Sequence, residues 1–312
     1  MDTVADTVTG RQPGSEQRMA RDRHVVELPL SNWSGQVSSA VQQRAIGALE
    51  DGKVLFFPGL AFGLGPEELK FLDPALAGSA KNVSFNSTTG RLGKCACPAE
   101  SKEALTAMMA RFAKQSRQVM DSLLPAYQKH IRAGRTSLRP VEIAGRKTSW
   151  RKDDTRLHVD SFPSTPLRGE RILRLFSNVN PEGKPRCWRV GGPFEEVAKR
   201  FAPGVTRPVP GASLIMALFR ITRGQRSLYD HYMLQLHDRM KADPDYQRNS
   251  EQTDFNFPPG ASWMVFTDQA PHAASSGQHQ FEQTFYLAVD DMARPEKSPL
   301  RILERITGSK MV

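Results

Sequence analysis

From Leu138 onward the chain is written in short β-type runs. Val141-Glu142-Ile143, Leu157-His158-Val159-Asp160, Ile172 to Val179 and Cys187 to Val190 are separated by Pro, Gly and Asn. After an interruption, strands resume at Asp254 to Phe257, Trp263 to Phe266 and Thr284 to Val289. Runs this short, punctuated by turn formers, pair antiparallel and pack as two facing sheets. The expected fold class is therefore mainly β with helices, around a double-stranded β-helix (jelly-roll, cupin-like) core.

The helical patterns lie before and within this core. His24 to Leu30 reads as a strand, Gln36 to Leu49 as a helix and Val54 to Phe57 as a buried strand closed by Pro58-Gly59. An irregular polar stretch runs to Pro98. Ser101 to Arg132 is the longest helical pattern, with Ser101 and Glu103 suited to its start. Residues 194–201 and about 213–247 return to helical spacing, the second as an insertion in the β region, and Leu300 to Ile306 forms a last short helix. The expected organisation is a mobile tail over 1–23 and one domain over 24–312. That domain divides into a helix-rich layer over 24–135 and a jelly-roll over 136–312.

Composition narrows the partners. Among 312 residues, 39% are hydrophobic, enough for a sizeable core. Lys and Arg number 43 against 33 Asp and Glu, a net charge of +10 that favours anionic partners. The charge is diffuse and interleaves no aromatics, so nucleic acid is not expected. Cys95, Cys97 and Cys187 form no CxxC, which fits a reducing cytoplasm better than a disulfide framework. No run approaches roughly 18 apolar residues, so no membrane span is expected.

His158 and Asp160 are two residues apart in a β-type run, and in a strand such residues project from one face. Alone, the pair could equally be a solvated histidine near a capping aspartate. Its third partner is further on. Pro258-Pro259-Gly260 leads into an apolar strand, a second turn and His272. His158, Asp160 and His272 together make the 2-His-1-carboxylate set of non-haem Fe(II) oxygenases, which leaves coordination positions open for co-substrate and O2. His279 competes for the distal role but follows Ser275-Ser276-Gly277, a loop composition. His231 and His237 are expected merely to decorate a helix.

In most enzymes with this triad the electrons come from 2-oxoglutarate, whose far carboxylate needs a buried cation, best an arginine fork. The stretch after His272 reads Gln280-Phe281-Glu282-Gln283-Thr284, without Arg or Lys. The anchor must then come from another strand. Arg171 and Arg174 are candidates on opposite faces of one run, with Arg174 preferred for its apolar neighbours, and Gln283 or Thr284 could add a neutral hydrogen bond.

The run from Ser149-Trp150-Arg151-Lys152 through His158-Val159-Asp160, with Gly169-Glu170-Arg171-Ile172-Leu173-Arg174 and Pro185-Arg186-Cys187-Trp188, resembles the Kdo 3-hydroxylase family. The likeness extends over roughly residues 24–307. It implies a dioxygenase of Gram-negative bacteria that uses Fe(II), 2-oxoglutarate and O2, with ascorbate as a reductant in vitro. The implied substrate is 3-deoxy-D-manno-oct-2-ulosonic acid (Kdo) on lipid A, hydroxylated at carbon 3 to give Ko. Peripheral action at the cytoplasmic face of the inner membrane is implied as well. Arg139, Lys152 and Arg156 are the expected partners of the acidic sugar, beside Arg151, and Trp188 offers a face for its ring. The same residues leave room for an oxygenase of another substrate, such as a protein side chain, or for a non-catalytic cupin-like module that binds acidic glycolipid.

Overall fold

A computed structural model describes residues 23–209 and 211–312 of the chain, so the tail expected over 1–23 lies, apart from Arg23, outside the described residues. Among the described residues, eleven strands form two sheets. The larger has the order β1-β2-β9-β6-β11-β5-β3-β4, from Val25–Glu27, Val54–Phe57, Ser262–Phe266, Arg171–Asn178, Gln280–Leu287, Arg132–Arg139, Val83–Asn86 and Arg91–Leu92. The smaller has the order β10-β7-β8, from His272–Ser276, Arg186–Gly191 and Gln252–Phe257. Every pairing is antiparallel except β1 with β2.

The alternation along each strand decides what lies on either side of the large sheet. On β6, Leu173 and Leu175 join one apolar cluster and Phe176 the other. The second cluster is the jelly-roll interior, where Phe176, Trp188, Phe257 and Trp263 interlock; Phe257 and Trp263 stack at 4.0 Å between ring centroids. Each such aromatic pair adds about 0.5–1.5 kcal/mol beyond area burial. The first cluster lies under the helices. There α1 (Ser39–Glu50) and α2 (Lys102–Leu123) cover the sheet, and Phe112 of α2 lies 4.8 Å from Phe281 of β11. Strand β6 is buried along its whole length because both of its faces are covered.

Helix α2 carries buried residues at Leu105, Met108, Met109, Phe112, Ser116, Val119, Met120 and Leu123, the stripe of a helix on a core. It ends at Leu123 rather than at Arg132, because Pro125 cannot continue it and Leu124 already has φ −126°. The chain then turns directly into β5. The first half also supplies β1 to β4, so the region expected to be a helical layer builds half of the large sheet's strands. Ser101 makes no side-chain cap; its backbone already closes a preceding 3-10 turn. Residues 141–143 form a loop rather than a strand. The insertion consists of α4 (Ala212–Leu218), α5 (Leu228–Ala242) and α6 (Pro244–Asn249), preceded by α3 (Phe194–Phe201), and α7 (Pro299–Thr307) follows the last strand.

Candidate active site

His158 and His272 are joined by an isolated antiparallel bridge. His158 N–H donates to the His272 carbonyl at 3.0 Å, and His272 N–H to the His158 carbonyl at 2.8 Å. The expected strand through 157–160 is thus reduced to one bridged residue. Asp160 is fixed separately, its N–H donating to the Thr267 carbonyl at 2.8 Å. Strand β9, which leads towards His272, is entered through Gly260, whose φ of 77° suits the turn before that strand.

Each histidine is oriented by the same device. Nδ1 of His158 lies 2.7 Å from the Arg156 carbonyl, and Nδ1 of His272 lies 2.9 Å from that of Ala270. A carbonyl only accepts, so each Nδ1 carries the proton and each Nε2 keeps a lone pair for a metal. The ligand atoms of His158, Asp160 and His272 all lie within 4.8 Å of one another, the one such cluster among the described residues. Burial holds both imidazoles below their usual 6.5, and neighbouring His272 lowers His158 further. Burial would raise Asp160, but Arg174, His272 and His158 pull its carboxyl well below the usual carboxylate range. Two neutral imidazoles and one carboxylate on one side of a point fit Fe(II).

Arg174 reaches the centre, with Nη2 3.3 Å from Asp160 Oδ2 and Nη1 3.2 Å from Glu282 Oε1. Arg139 Nη2 binds the other oxygen of Glu282 at 2.6 Å. Glu282, from the strand where no anchoring arginine was found, therefore holds two arginines that come from other strands.

His158, Asp160, His272, Arg139 and Arg174 line a cavity of about 800 Å³ that also takes in Lys81, Arg146, Lys147, Arg151, Lys152, Arg186, Trp188, His237, Lys241 and Gln280. Arg186 has no carboxylate partner. Its Nη1 donates to the Gly277 carbonyl at 2.7 Å and its Nε has no partner. Burial, with Arg139 nearby, pulls its pKa down to about 9, still protonated at neutral pH. Trp188 Nε1 and Gln280 Oε1 are likewise buried without partners. The unmatched Trp188 Nε1 donor and a guanidinium without a carboxylate partner beside the triad fit a dicarboxylate such as 2-oxoglutarate.

Several expected residues lie elsewhere. Arg171 is on the helix-facing side of β6, bound to Asp268 (Nε to Oδ2, 2.7 Å) and Gln269 (2.6 Å) and stacked on Phe266, so it is a structural cation and not a co-substrate anchor. Gln283 faces the same side and accepts from Thr136 at 2.5 Å. Thr284 is on the cavity-side face of β11 but does not line the cavity. Arg156 is spent on Asp153 and the Lys241 carbonyl, outside the lining. Lys152 does line the cavity, at its exposed rim. Trp188 lines it too, but its ring stacks on His272 at 5.1 Å, so that face supports the metal ligand and is closed to a sugar. His279 ends the turn between β10 and β11, away from the triad.

Several lining residues were missed in the sequence, Arg186, His237 and Lys241 among them. Arg186 shares strand parity with Trp188, and that signal would have found it. His237 and Lys241 are four apart on α5 and so share a face. His237 was expected only to decorate the helix, yet its ring meets His158 edge-on at 5.3 Å.

A jelly-roll with this triad and these buried arginines defines a non-haem Fe(II)- and 2-oxoglutarate-dependent dioxygenase. Residues 32–310 match the family of 3-deoxy-D-manno-oct-2-ulosonic acid (Kdo) hydroxylase. The chain is similar to the crystal structure of the Kdo hydroxylase KdoO in complex with α-ketoglutarate and Fe(III), with 47% identity, TM-score 0.90 and coverage of 93% of this chain and 97% of that one. Its cobalt(II) complex gives 48% identity, TM-score 0.91 and coverage of 92% and 97%. Its apo form gives 48%, 0.91, 93% and 97%. A comparison with curated protein sequences returns no match. The chain belongs to the Kdo hydroxylase family, an enzyme whose cofactors are Fe(II) and 2-oxoglutarate with O2 as oxidant.

Proposed function

We propose that this chain hydroxylates carbon 3 of Kdo carried on lipid A, giving Ko, while the substrate's lipid stays in a membrane that the protein meets peripherally. The observation that carries this reading is the triad in a cavity whose mouth, on its exposed and half-buried residues, carries Lys81, Arg146, Lys147, Arg151 and Lys152, while Lys241 is buried. Such a mouth suits a sugar carboxylate and lipid A phosphates. Among the described residues no helix is long and apolar enough to cross a membrane.

His158, Asp160 and His272 would hold the iron, with Nε2 of each histidine directed by its Nδ1 hydrogen bond. Bound there, Fe(II) with 2-oxoglutarate and O2 supplies the oxidant that replaces a C–H hydrogen by hydroxyl as 2-oxoglutarate becomes succinate and CO2. Arg186 and Trp188 Nε1 would bind carboxylate oxygen of 2-oxoglutarate, because Arg186 has no carboxylate partner and its Nε and Trp188 Nε1 are buried without partners. Arg139 and Arg174, tied through Glu282, fix the side of the cavity next to Asp160 in one arrangement. The lysines and arginines of the mouth place the acidic sugar and neutralise it as water leaves.

The test is incubation with Fe(II), ascorbate, 2-oxoglutarate and Kdo-lipid A, followed by mass spectrometry for a gain of one oxygen. Position 3 of the sugar is expected to carry it. Undiminished activity in Asp160→Ala would overturn the metal assignment, and turnover of peptides but not Kdo-lipid A would overturn the substrate.

A further inference from the structure

Of the seven large hydrophobic side chains that are exposed among the described residues, five fall within residues 209–221: Val209, Leu214, Leu218, Phe219 and Ile221. Three of them, Val209, Leu218 and Phe219, are more than 70% exposed, at 74%, 75% and 71%. An apolar patch this dense is uncommon on a protein that faces only water. The charges along this stretch of chain are one-sided. Arg207, Arg220 and Arg223 are exposed beside it, and no Asp or Glu occurs between Glu196 and Asp230.

The patch is tied to the mouth of the active site. Arg223 N–H donates to the Ser164 carbonyl at 2.9 Å, and the Arg226 guanidinium donates to the Pro163 carbonyl. Ser213 Oγ in turn donates to the Arg226 carbonyl at 2.9 Å. Ser161, Phe162 and Pro163 line the cavity immediately after the metal ligand Asp160. The far end of the same loop is pinned by Asp230, which accepts from the N–H of Leu167 at 2.7 Å.

We propose that the 209–221 segment is a bilayer-docking element: Leu214, Leu218, Phe219 and Ile221 enter the interface of an anionic phospholipid membrane, with Arg207, Arg220 and Arg223 at the headgroups. Apolar side chains and cations together on a stretch of chain without acidic residues are the chemistry of interfacial attachment, since each contributes where the other is weak. The contact sets the cavity mouth at the lipid surface, so the headgroup sugar of a lipid enters while its acyl chains stay in the bilayer. This extends the reading of a lipid-linked substrate, but docking by the substrate-free chain stands without it.

The full-length chain is sedimented with vesicles of phosphatidylcholine alone and of phosphatidylcholine with phosphatidylglycerol. Binding is expected with the anionic vesicles, reduced at least about fivefold without the anionic lipid and weakened by salt. Leu218→Ser/Phe219→Ser is expected to bind at least about tenfold less. Cobalt(II) and 2-oxoglutarate titrations of that variant, unchanged, show that it folds. Should it not fold, the wild-type chain answers instead: anionic vesicles are expected to shield Arg220 and Arg223 from trypsin. Absence of vesicle binding, equal binding by a folded variant, or cleavage unaffected by vesicles overturns the proposal. So does sedimentation equilibrium showing a dimer that the variant abolishes, because the patch is then a contact between copies. A chain that docks but leaves Kdo-lipid A unmodified supports the docking element and overturns the substrate reading alone.

Discussion

His158 and His272 stand opposite each other across a single pair of backbone hydrogen bonds, and each ring hands its Nδ1 proton to the carbonyl two residues before it. The bridge brings together residues far apart in sequence, and the repeated carbonyl contact gives both the same tautomer. The metal-binding face is thereby set by main chain, which side-chain substitution elsewhere disturbs little.

One neighbour does control it. A Cβ at Gly191 would lie 2.8 Å from Pro271 Cβ and 3.1 Å from Leu157 Cδ2, and these residues immediately precede His272 and His158. Gly191→Ala is expected to cost about 1–3 kcal/mol by overpacking and to weaken cobalt(II) binding by separating the ligands. Thermal melting and metal titration check both. Unchanged affinity would show that β7 does not set the histidine spacing.

The acid dependence of metal binding follows from the ligands' protonation. The two histidines are held below 6.5 and Asp160 below the carboxylate range, so none carries a proton that a metal must displace near neutrality. Cobalt(II) affinity is expected to stay within about twofold between roughly pH 8 and 6.5, and to fall only in more acidic solution, as the histidines take up protons. A steady tenfold loss per pH unit across that range would contradict it.

Arg186 lacks a carboxylate partner, and that predicts its variant. Arg186→Met removes a charged hydrogen-bond donor worth about 1.5–3 kcal/mol, roughly 10- to 150-fold in the Kd of 2-oxoglutarate. Cobalt(II) affinity is expected to remain, because Arg186 touches no ligand of the metal. Calorimetric titration of each separates the two, and equal loss of both would place Arg186 in the metal's own support.

Arg171 is predicted to matter for stability alone. Its partner Asp268 is 1% exposed and bound at 2.7 Å, so Arg171→Met strands a buried carboxylate and is expected to cost about 3–5 kcal/mol. Arg171→Met/Asp268→Leu should regain most of it, since a well-packed apolar pair often replaces a buried ion pair at little loss. Denaturant unfolding measures the cycle. A double variant as unstable as the single one would refute the pair as the cause.

Much of this architecture was legible along the chain. The strands β6 to β9 and β11, the helix at 194–201 and the turn into His272 are written in local periodicity and in Pro and Gly placement. The triad was legible for the same reason: a histidine and a carboxylate two apart, and a second histidine behind a strand and a turn. Several site residues were not read in this way. Arg186 sits in a run short enough to pass as surface, Glu282 looks like an ordinary polar strand residue, and His237 and Lys241 look like helix decoration.

The sequence by itself determined which segments extend, which coil and which residue types could hold a metal, because those follow from neighbours a few positions away. Only the tertiary structure decided which of Arg171 and Arg174 faces the centre, that Glu282 joins two arginines, and that Trp188 braces His272. Those outcomes depend on which side of the large sheet the helices cover. That is settled by burying the more apolar face of every strand at once, a choice no single strand contains.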